Sequence, residues 1–303
     1  MAVITTGNFT KALWPGVNAW YGQAYNEHKV EYTDLFDTEQ SRKGWEEDVG
    51  TSGLGLAKIK GEGAPIEYDT EQQGFIDRYT HATYGLGFIV TAEAFEDDQY
   101  DVVGKKRAKG LAFSMRQTKE TVAANIYNRA FNSSYTYGDG VELCSTAHPN
   151  VAGGTWANEL TTAADLSEAA LEQACIDIMK YTNDRGLKIS VMPQSLHIPV
   201  DLVYEAERIL NSPARVGTAD NDLNALKTMG KFPKGVKPNH YFTDTDAWFI
   251  RTNVPEGMKY FERRADRFGM DNDFDTDNAK YKATGRWSFG STDKRQIFGS
   301  PGA

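Results

Sequence analysis

The chain has 303 residues; 40% are hydrophobic, 25% are charged and the formal net charge is −9. These proportions fit a soluble globular chain of one large or two modest domains. They exclude a disulfide scaffold, since Cys144 and Cys175 are the two cysteines, and argue against a dedicated nucleic-acid binder, since the pI is near 5.2.

No apolar run approaches the roughly 18 residues of a membrane span. Met1 to Thr10 lacks the basic start and apolar core of a secretory signal. Leu, Ile, Val and Phe together make up just under a fifth of the chain, while 12% is aromatic. A thin aliphatic supply with many rings suits a flat folded subunit better than one deep ball.

Trp14, Val17, Trp20, Tyr21 and Tyr25 recur at three- to four-residue spacing, which predicts a short amphipathic helix after Pro15. Val30 to Val49 is acidic and aromatic without a long period, so it needs a partner surface. Thr51 to Val90 reads as a long β-hairpin. Its first limb carries Leu54, Leu56, Ile59, Ile66 and Tyr68, and a polar tip runs from Asp69 to Gly74. The return limb places Ile76, Arg78, Thr80, Ala82, Tyr84, Leu86, Phe88 and Val90 on one face at period two.

Thr91 to Phe131 reads as a long helix. The acids Glu93, Glu96, Asp97 and Asp98 precede the bases Lys105, Lys106, Arg107 and Lys109, as the helix dipole favours. Leu111, Met115, Thr118, Val122 and Ile126 form its apolar face. From Asp101 to Phe131 it would run about 45 Å, with Gly104 and Gly110 as candidate kinks.

A Gly-rich loop follows. Asp165 and Glu168 then predict a capping box for a helix through Leu171, Ala174, Cys175 and Ile178 that ends by Gly186. Leu187, Ile189 and Val191 predict a strand that stops at Pro193. Val203, Ala206 and Leu210 predict a helix stopped at Asn211 to Pro213. Gly217 to Asn239 reads as a long irregular loop and Ala247 to Arg251 as a buried strand. The last 77 residues contain no Leu; Lys280 to Phe289 alternates as a strand, expected to pack on the long helix.

Candidate chemistry is sparse. Cys144 and His148, in Leu-Cys-Ser-Thr-Ala-His-Pro, are the nucleophile and base of a cysteine-hydrolase alternative, although spacing supplies no third orienting group. The five His and two Cys show no zinc-site spacing. Asp271, Asp273, Asp275 and Asp277 imitate the start of an EF-hand loop. Thr276 replaces its glycine and Lys282 its bidentate Glu, so a solvated turn is expected. Gly50 to Gly55 is glycine-rich without a phosphate-binding Lys-Ser/Thr, and no other nucleotide or hydrolase motif occurs. The bases Lys105 to Lys109 could meet DNA phosphates, but an exposed helix face paired with the preceding acids is the stronger reading. These absences move the expectation from an enzyme to a structural protein with no catalytic, metal or cofactor site.

The order of textures, together with Leu143-Cys-Ser-Thr-Ala-His-Pro149 and Gly153-Gly154-Thr155, Ile189 to Asn211 with its Pro-x-x-Leu-x-Ile-Pro core, and Tyr241 to Phe249, resembles the major capsid proteins of tailed bacteriophages. Within them it is similar to the Mu-like major head subunit group. The resemblance implies an α+β Hong Kong 97-like fold. It implies an N-terminal arm (1–50), an extended loop (51–91), a peripheral domain with a spine helix (92–165), an axial domain (166–249) and peripheral return strands (250–303).

The implied function is self-assembly, through hexamers and pentamers, into an icosahedral shell around a double-stranded DNA genome held by weak nonspecific contact. Portal, scaffold or protease and cement proteins are the implied partners, with no membrane, and the virion, after synthesis in the host cytoplasm, is the implied location. Some relatives cross-link a loop Lys to a neighbour's Asn; Lys58 and Lys60 lie in that loop, but no motif fixes the partner, and the cross-link is not carried over. No charged helical prodomain precedes Met1, so a scaffold or protease is expected as a separate chain. An encapsulin-like compartment shell is the alternative within the same fold.

Overall fold

The computed structural model describes residues 19, 21–26, 29–93, 105–214, 223–273 and 278–303. Residues 21–26 are helical, and a short helix α1 (Tyr32–Leu35) follows. Next come strands β1 (Asp37–Gln40), β2 (Trp45–Thr51), β3 (Gln73–Thr80) and β4 (Ala82–Val90), and the long helix α2 (Lys105–Asn128). The two-residue strands β5 (His148–Pro149) and β6 (Thr155–Trp156) pin the loop beyond it. Helix α3 (Glu168–Met179), β7 (Pro193–Pro199), α4 (Val203–Asn211), α5 (Ala225–Met229), β8 (Val236–Asn239) and β9 (Trp248–Thr252) form the middle of the chain. Strands β10 (Met258–Asn272), β11 (Ala279–Ser291) and β12 (Ile297–Ser300) close it.

Two four-stranded sheets carry the fold, in the orders β1-β10-β11-β4 and β12-β9-β7-β8. The second lies between two cores. Trp248, Ile250 and Phe298 point into an aliphatic core with Leu171, Ile178, Leu196 and Ile209. Phe249 and Ile297 point the other way, into an aromatic core with Tyr127, Met258, Tyr260 and Trp287. Side chains alternate across a strand, so one buried on both faces reads as a continuous apolar run. That is why Trp248-Phe-Ile stands out in the sequence.

Helix α2 spans 24 residues, about 36 Å, and continues through Gly110. Its buried face is Ala108, Leu111, Ala112, Met115, Arg116, Lys119, Glu120, Ala123, Ala124 and Tyr127. The expected stripe slips after Met115, and Thr118, Val122 and Ile126 are only half-buried. Three charges are buried because each has a task. Glu120 accepts hydrogen bonds from the Glu31 and Tyr32 amides at 3.1 and 2.8 Å, ending the exposed start of α1. Lys119 lies 3.2 Å from Asp266, among the rings of Tyr32, Tyr260 and Trp287. Arg116 covers the Tyr25 ring and donates to its carbonyl. Gly104 and the acids Glu96, Asp97 and Asp98 lie outside the described residues.

Other boundaries move for local reasons. Ser167, not Asp165, caps α3, accepting from the Ala170 amide at 3.2 Å; Asp165 instead accepts the Ala303 amide. Helix α3 stops at Met179, within the bound set by Gly186. The strand expected at Leu187 to Val191 holds only an isolated bridge, Thr182 to Lys188. The ladder begins where the sequence pattern predicts its end, at Pro193, since proline is tolerated at a strand's first residue. The loop expected from Gly217 to Asn239 contains α5 and β8, apart from residues 217–222, which lie outside the described set. The amphipathic stretch near Pro15 is described only from residue 19 on.

Candidate functional site

The hairpin holds in part. Strand β3 pairs antiparallel with β2, from Trp45 opposite Thr80 to Thr51 opposite Gln73. The limb from Leu54 to Tyr68 forms no strand. Residues 52–72 are instead an excursion leaving the end of the β2–β3 ladder, closed by Ser52, whose amide donates to the Gln72 carbonyl at 3.0 Å. The return limb splits at His81. Strand β3 stays with the hairpin, and β4 joins the body sheet against β11.

The split changes which face is buried. In β3 the inward residues are Asp77 and Tyr79, with His81 next, while Ile76, Arg78 and Thr80 face out. In β4 the even-numbered Tyr84 and Phe88 turn partly inward and Val90 fully, while Ala82 and Leu86 of the same expected face stay exposed. The polar inward residues of β3 root the hairpin. Asp77 accepts from the Gly138 amide at 2.7 Å and from buried Lys294 at 2.8 Å. The Tyr79 hydroxyl lies 2.6 Å from Thr292 Oγ1. The Thr292 hydrogen is committed to Asp48, so Tyr79 donates. Lys259 Nζ completes the chain at 2.7 Å from Asp48, and this pairing, against the opposing effect of burial, holds the lysine pKa up. The Tyr79 ring lies where a Cβ on Gly290 would be, 2.7 Å from its Cε1, so that close approach requires glycine.

His81 clamps both chain crossings between hairpin and body. Its Nε2 lies 3.0 Å from Ser41 Oγ, on the first crossing, and its Nδ1 lies 2.9 Å from Ser288 Oγ on β11. Ser41 donates to Glu46 at 2.7 Å, so the His81 Nε2–H donates to Ser41 and Ser288 donates to Nδ1. Burial, then Arg286, lowers the His81 pKa. Arg286 also donates to the carbonyls of His81 and Gly44, and Arg263 to that of Lys43. A cleft of about 370 Å³ beside the root is lined by Asp48, Asp77, Asp184, Glu256, Trp156 and Arg295.

The excursion is the opposite of its root. Ile59 is fully exposed, Tyr68 is 89% and Leu56 79% exposed, and Leu54 and Ile66 are more than half exposed. Lys58 pairs with Glu67 across it.

The Cys144 and His148 of the cysteine-hydrolase alternative do not form a catalytic pair. Cys144 is fully buried, and burial pushes its thiol up, away from the reactive thiolate. His148 has one nitrogen 2.7 Å from Asp139 and the other 3.0 Å from Asn158, and neither is bonded to Cys144. Asn158 cannot turn, because its Nδ2 donates to the Leu143 and Lys294 carbonyls. His148 is a brace of the loop. Among the described residues no group of three or more side chains could hold a metal ion. Asp273 pairs with Lys280 at 2.9 Å, and Asp275 and Asp277 lie outside the described residues. Lys106 and Arg107 are exposed, and Arg107 donates to the Ile89 carbonyl at 2.8 Å. No described helix is long and apolar enough to cross a membrane.

Polar residues at odd positions in β3 carried a signal: Asp77, Tyr79 and His81 alternate as regularly as the even set. Alternation alone does not say which face is inside.

A family model described as phage capsid protein matches residues 76–298, nearly three quarters of the chain. The chain belongs to this family of phage capsid proteins. No curated protein matches the sequence. Among solved structures, the capsid of a native GTA particle shares 13% identity at a TM-score of 0.55, over 88% of each chain. The procapsid of bacteriophage JBD30 shares 13% at 0.52, over 98% of this chain and 76% of that one. Mycobacterium phage Che8 shares 11% at 0.51, over 91% and 93%. The common fold is the α+β Hong Kong 97 fold, and the protein is a major capsid protein, a structural subunit of an icosahedral phage shell.

Proposed function

We propose that the 52–72 excursion is the contact by which each subunit grips the next, within hexamers and pentamers that enclose a double-stranded DNA genome. The observation that carries this reading is the pairing of a buried root with five bare apolar side chains. Burying one Leu or Ile contributes about 1.5–3 kcal/mol. Repeated round a closed shell, such modest contacts add up by avidity. In this reading residues 1–50 are an arm, and of the extended loop expected over 51–91 the part up to Thr80 projects with β2 while β4 belongs to the body sheet. Residues 166–249, which supply most of the aliphatic core, would be an axial unit, and 92–165 with 250–303 a peripheral one built on α2. The net charge of −9 lets packaged DNA lie inside without being gripped. Portal, scaffold or protease and cement proteins would be its partners, and the subunit, made in the host cytoplasm, would end in the virion.

The test replaces residues 54–70 by a two-residue Asn-Gly turn, which suits the antiparallel β2–β3 ladder. The shortened subunit is expected to keep its circular dichroism and unfolding midpoint while regular particles disappear from electron micrographs. Regular shells from that chain would overturn the reading.

A further inference from the structure

The geometry points to Arg185 as a positioning residue for assembly: a strut on the subunit's own body that aims the 52–72 excursion at a second copy. This rests on the reading of the excursion as the intersubunit contact. The Arg185 Nη1 donates to Asp69 Oδ2 and its Nη2 to the Thr70 carbonyl, a two-pronged grip on the returning limb. The same Asp69 oxygen accepts the Gly55 amide of the outgoing limb at 2.7 Å. One carboxylate thus ties both limbs to the body. A Cβ at Gly55 would lie 3.0 Å from Arg185 Nη1 and 3.1 Å from Asp69 Oδ2, so the junction is closed tightly around a glycine.

Arg185 is itself held ready. It sits in a turn in which Asn183 Oδ1 accepts the amides of Arg185 and Leu187, at 3.0 and 2.9 Å, and Gly186 takes a φ of 78°. Among the described residues, Arg185 is the group outside the hairpin that bonds residues 53–71; the other bonds there, such as Lys58 to Glu67, stay within the excursion.

A tie of this kind could mask the apolar side chains or present them. Exposure decides between the two. Ile59, Tyr68 and Leu56 are bare while the tie is made, so it hides nothing and fixes where they point. Presenting a loop in one place removes an ordering cost from association. The Gly55 amide, then Arg185 and the Thr70 amide, hold the Asp69 pKa down to about 2. The tie therefore stays charged from neutral to mildly acid pH, and ionic strength is what weakens it.

The test uses the full chain with Arg185→Gln and Arg185→Lys, the second keeping the charge but losing the fork. Trypsin cleavage at Lys58 and Lys60 is followed in the unassembled subunit, and assembly is followed by light scattering. Loss of an exposed pair corresponds to about a two- to fivefold change. Arg185→Gln is expected to be nicked faster and to assemble more slowly by that factor, at an unchanged unfolding midpoint. Arg185→Lys should fall between it and the unaltered chain, and raised salt should bring the unaltered chain towards Arg185→Gln. Unchanged nicking would overturn the strut, and so would faster assembly, which would mark a mask. Nicking is read before assembly, so the strut is judged even if the shortened-loop chain shows that the excursion is not the contact.

Discussion

At the root of the β2–β3 hairpin the inward side chains are an aspartate, a tyrosine and a histidine; in the excursion beyond it the bare ones are leucines, isoleucines and a tyrosine. Polar groups are inside and apolar groups outside, along one continuous piece of chain. Buried polar groups are stable only when every one is partnered, and here Lys294, Thr292, Ser41 and Ser288 supply the partners. Exposed apolar groups gain nothing until something covers them. The root is therefore settled by the subunit's own folding, and the excursion, in the proposed reading, by association.

Breaking the root is expected to have the largest effect. Lys294 stands 2.8 Å from Asp77 and 3.8 Å from Asp139, and all three side chains are almost wholly buried. Lys294→Met leaves two carboxylates buried without their cation. Removing one partner of a buried pair costs about 3–5 kcal/mol. The urea midpoint should fall accordingly, and adding Asp77→Leu should restore part of the loss. A midpoint within error of the unaltered chain would mean that the root does not hold the hairpin.

Acid separates the two regions more gently. His81 faces Glu46, Arg286 and Arg263, and its pKa is lowered in the fold, chiefly by burial. His197, wholly buried on β7 near Arg251, Lys237 and Lys234, is pushed down to about 3, again chiefly by burial. A histidine with a lowered folded pKa contributes stability that is complete above its unfolded pKa, about 6.5, and is lost as pH falls towards the folded value. Stability should therefore decline from about pH 6.5 downwards, by on the order of 2 kcal/mol at pH 5 from His197 alone. Asp69, held down to about 2, keeps its charge through that window, so trypsin nicking of the excursion, taken relative to a free peptide at the same pH, should not change with it. His197→Gln should flatten most of the slope in denaturant midpoints, and His81→Gln a smaller share. A slope untouched by both would remove these histidines from the acid response.

The sequence reveals neither the excursion nor its anchorage. Leu54 to Tyr68 predicts a strand limb with its tip at Asp69 to Gly74, whereas the true limb is β2 and residues 52–72 form no strand. Ladder partners, and not apolar spacing, decide where a strand lies. The return limb was legible as strand, since its period of two is real through β3 and β4. Its buried face was not, because Asp77 finds Lys294 from 217 positions away and Tyr79 finds Thr292 from 213. Alternation gives a strand two faces, and only the packed neighbours say which is inside. Arg185 was invisible for the same reason: nothing near it in the chain announces Asp69. Where local chemistry sufficed, as for α4 and β9, the boundaries fell close to where they were expected. Where a competing local cap lay two residues away, as with Ser167 against Asp165, they moved.

The smallest effect on folding, and the sharpest contrast with Lys294, belongs to Ile59→Ser. Ile59 touches nothing that folding would lose, so the unfolding midpoint should stay within about 0.5 kcal/mol of its original value. Association is another matter. If a neighbouring copy covers Ile59, the variant forfeits about 1.5–3 kcal/mol at each such contact. At 1.4 kcal/mol per factor of ten, each contact weakens by about 10- to 100-fold. The concentration at which particles first sediment should rise accordingly. An unchanged threshold, with the midpoint also unchanged, would overturn the burial of Ile59 against a neighbouring copy.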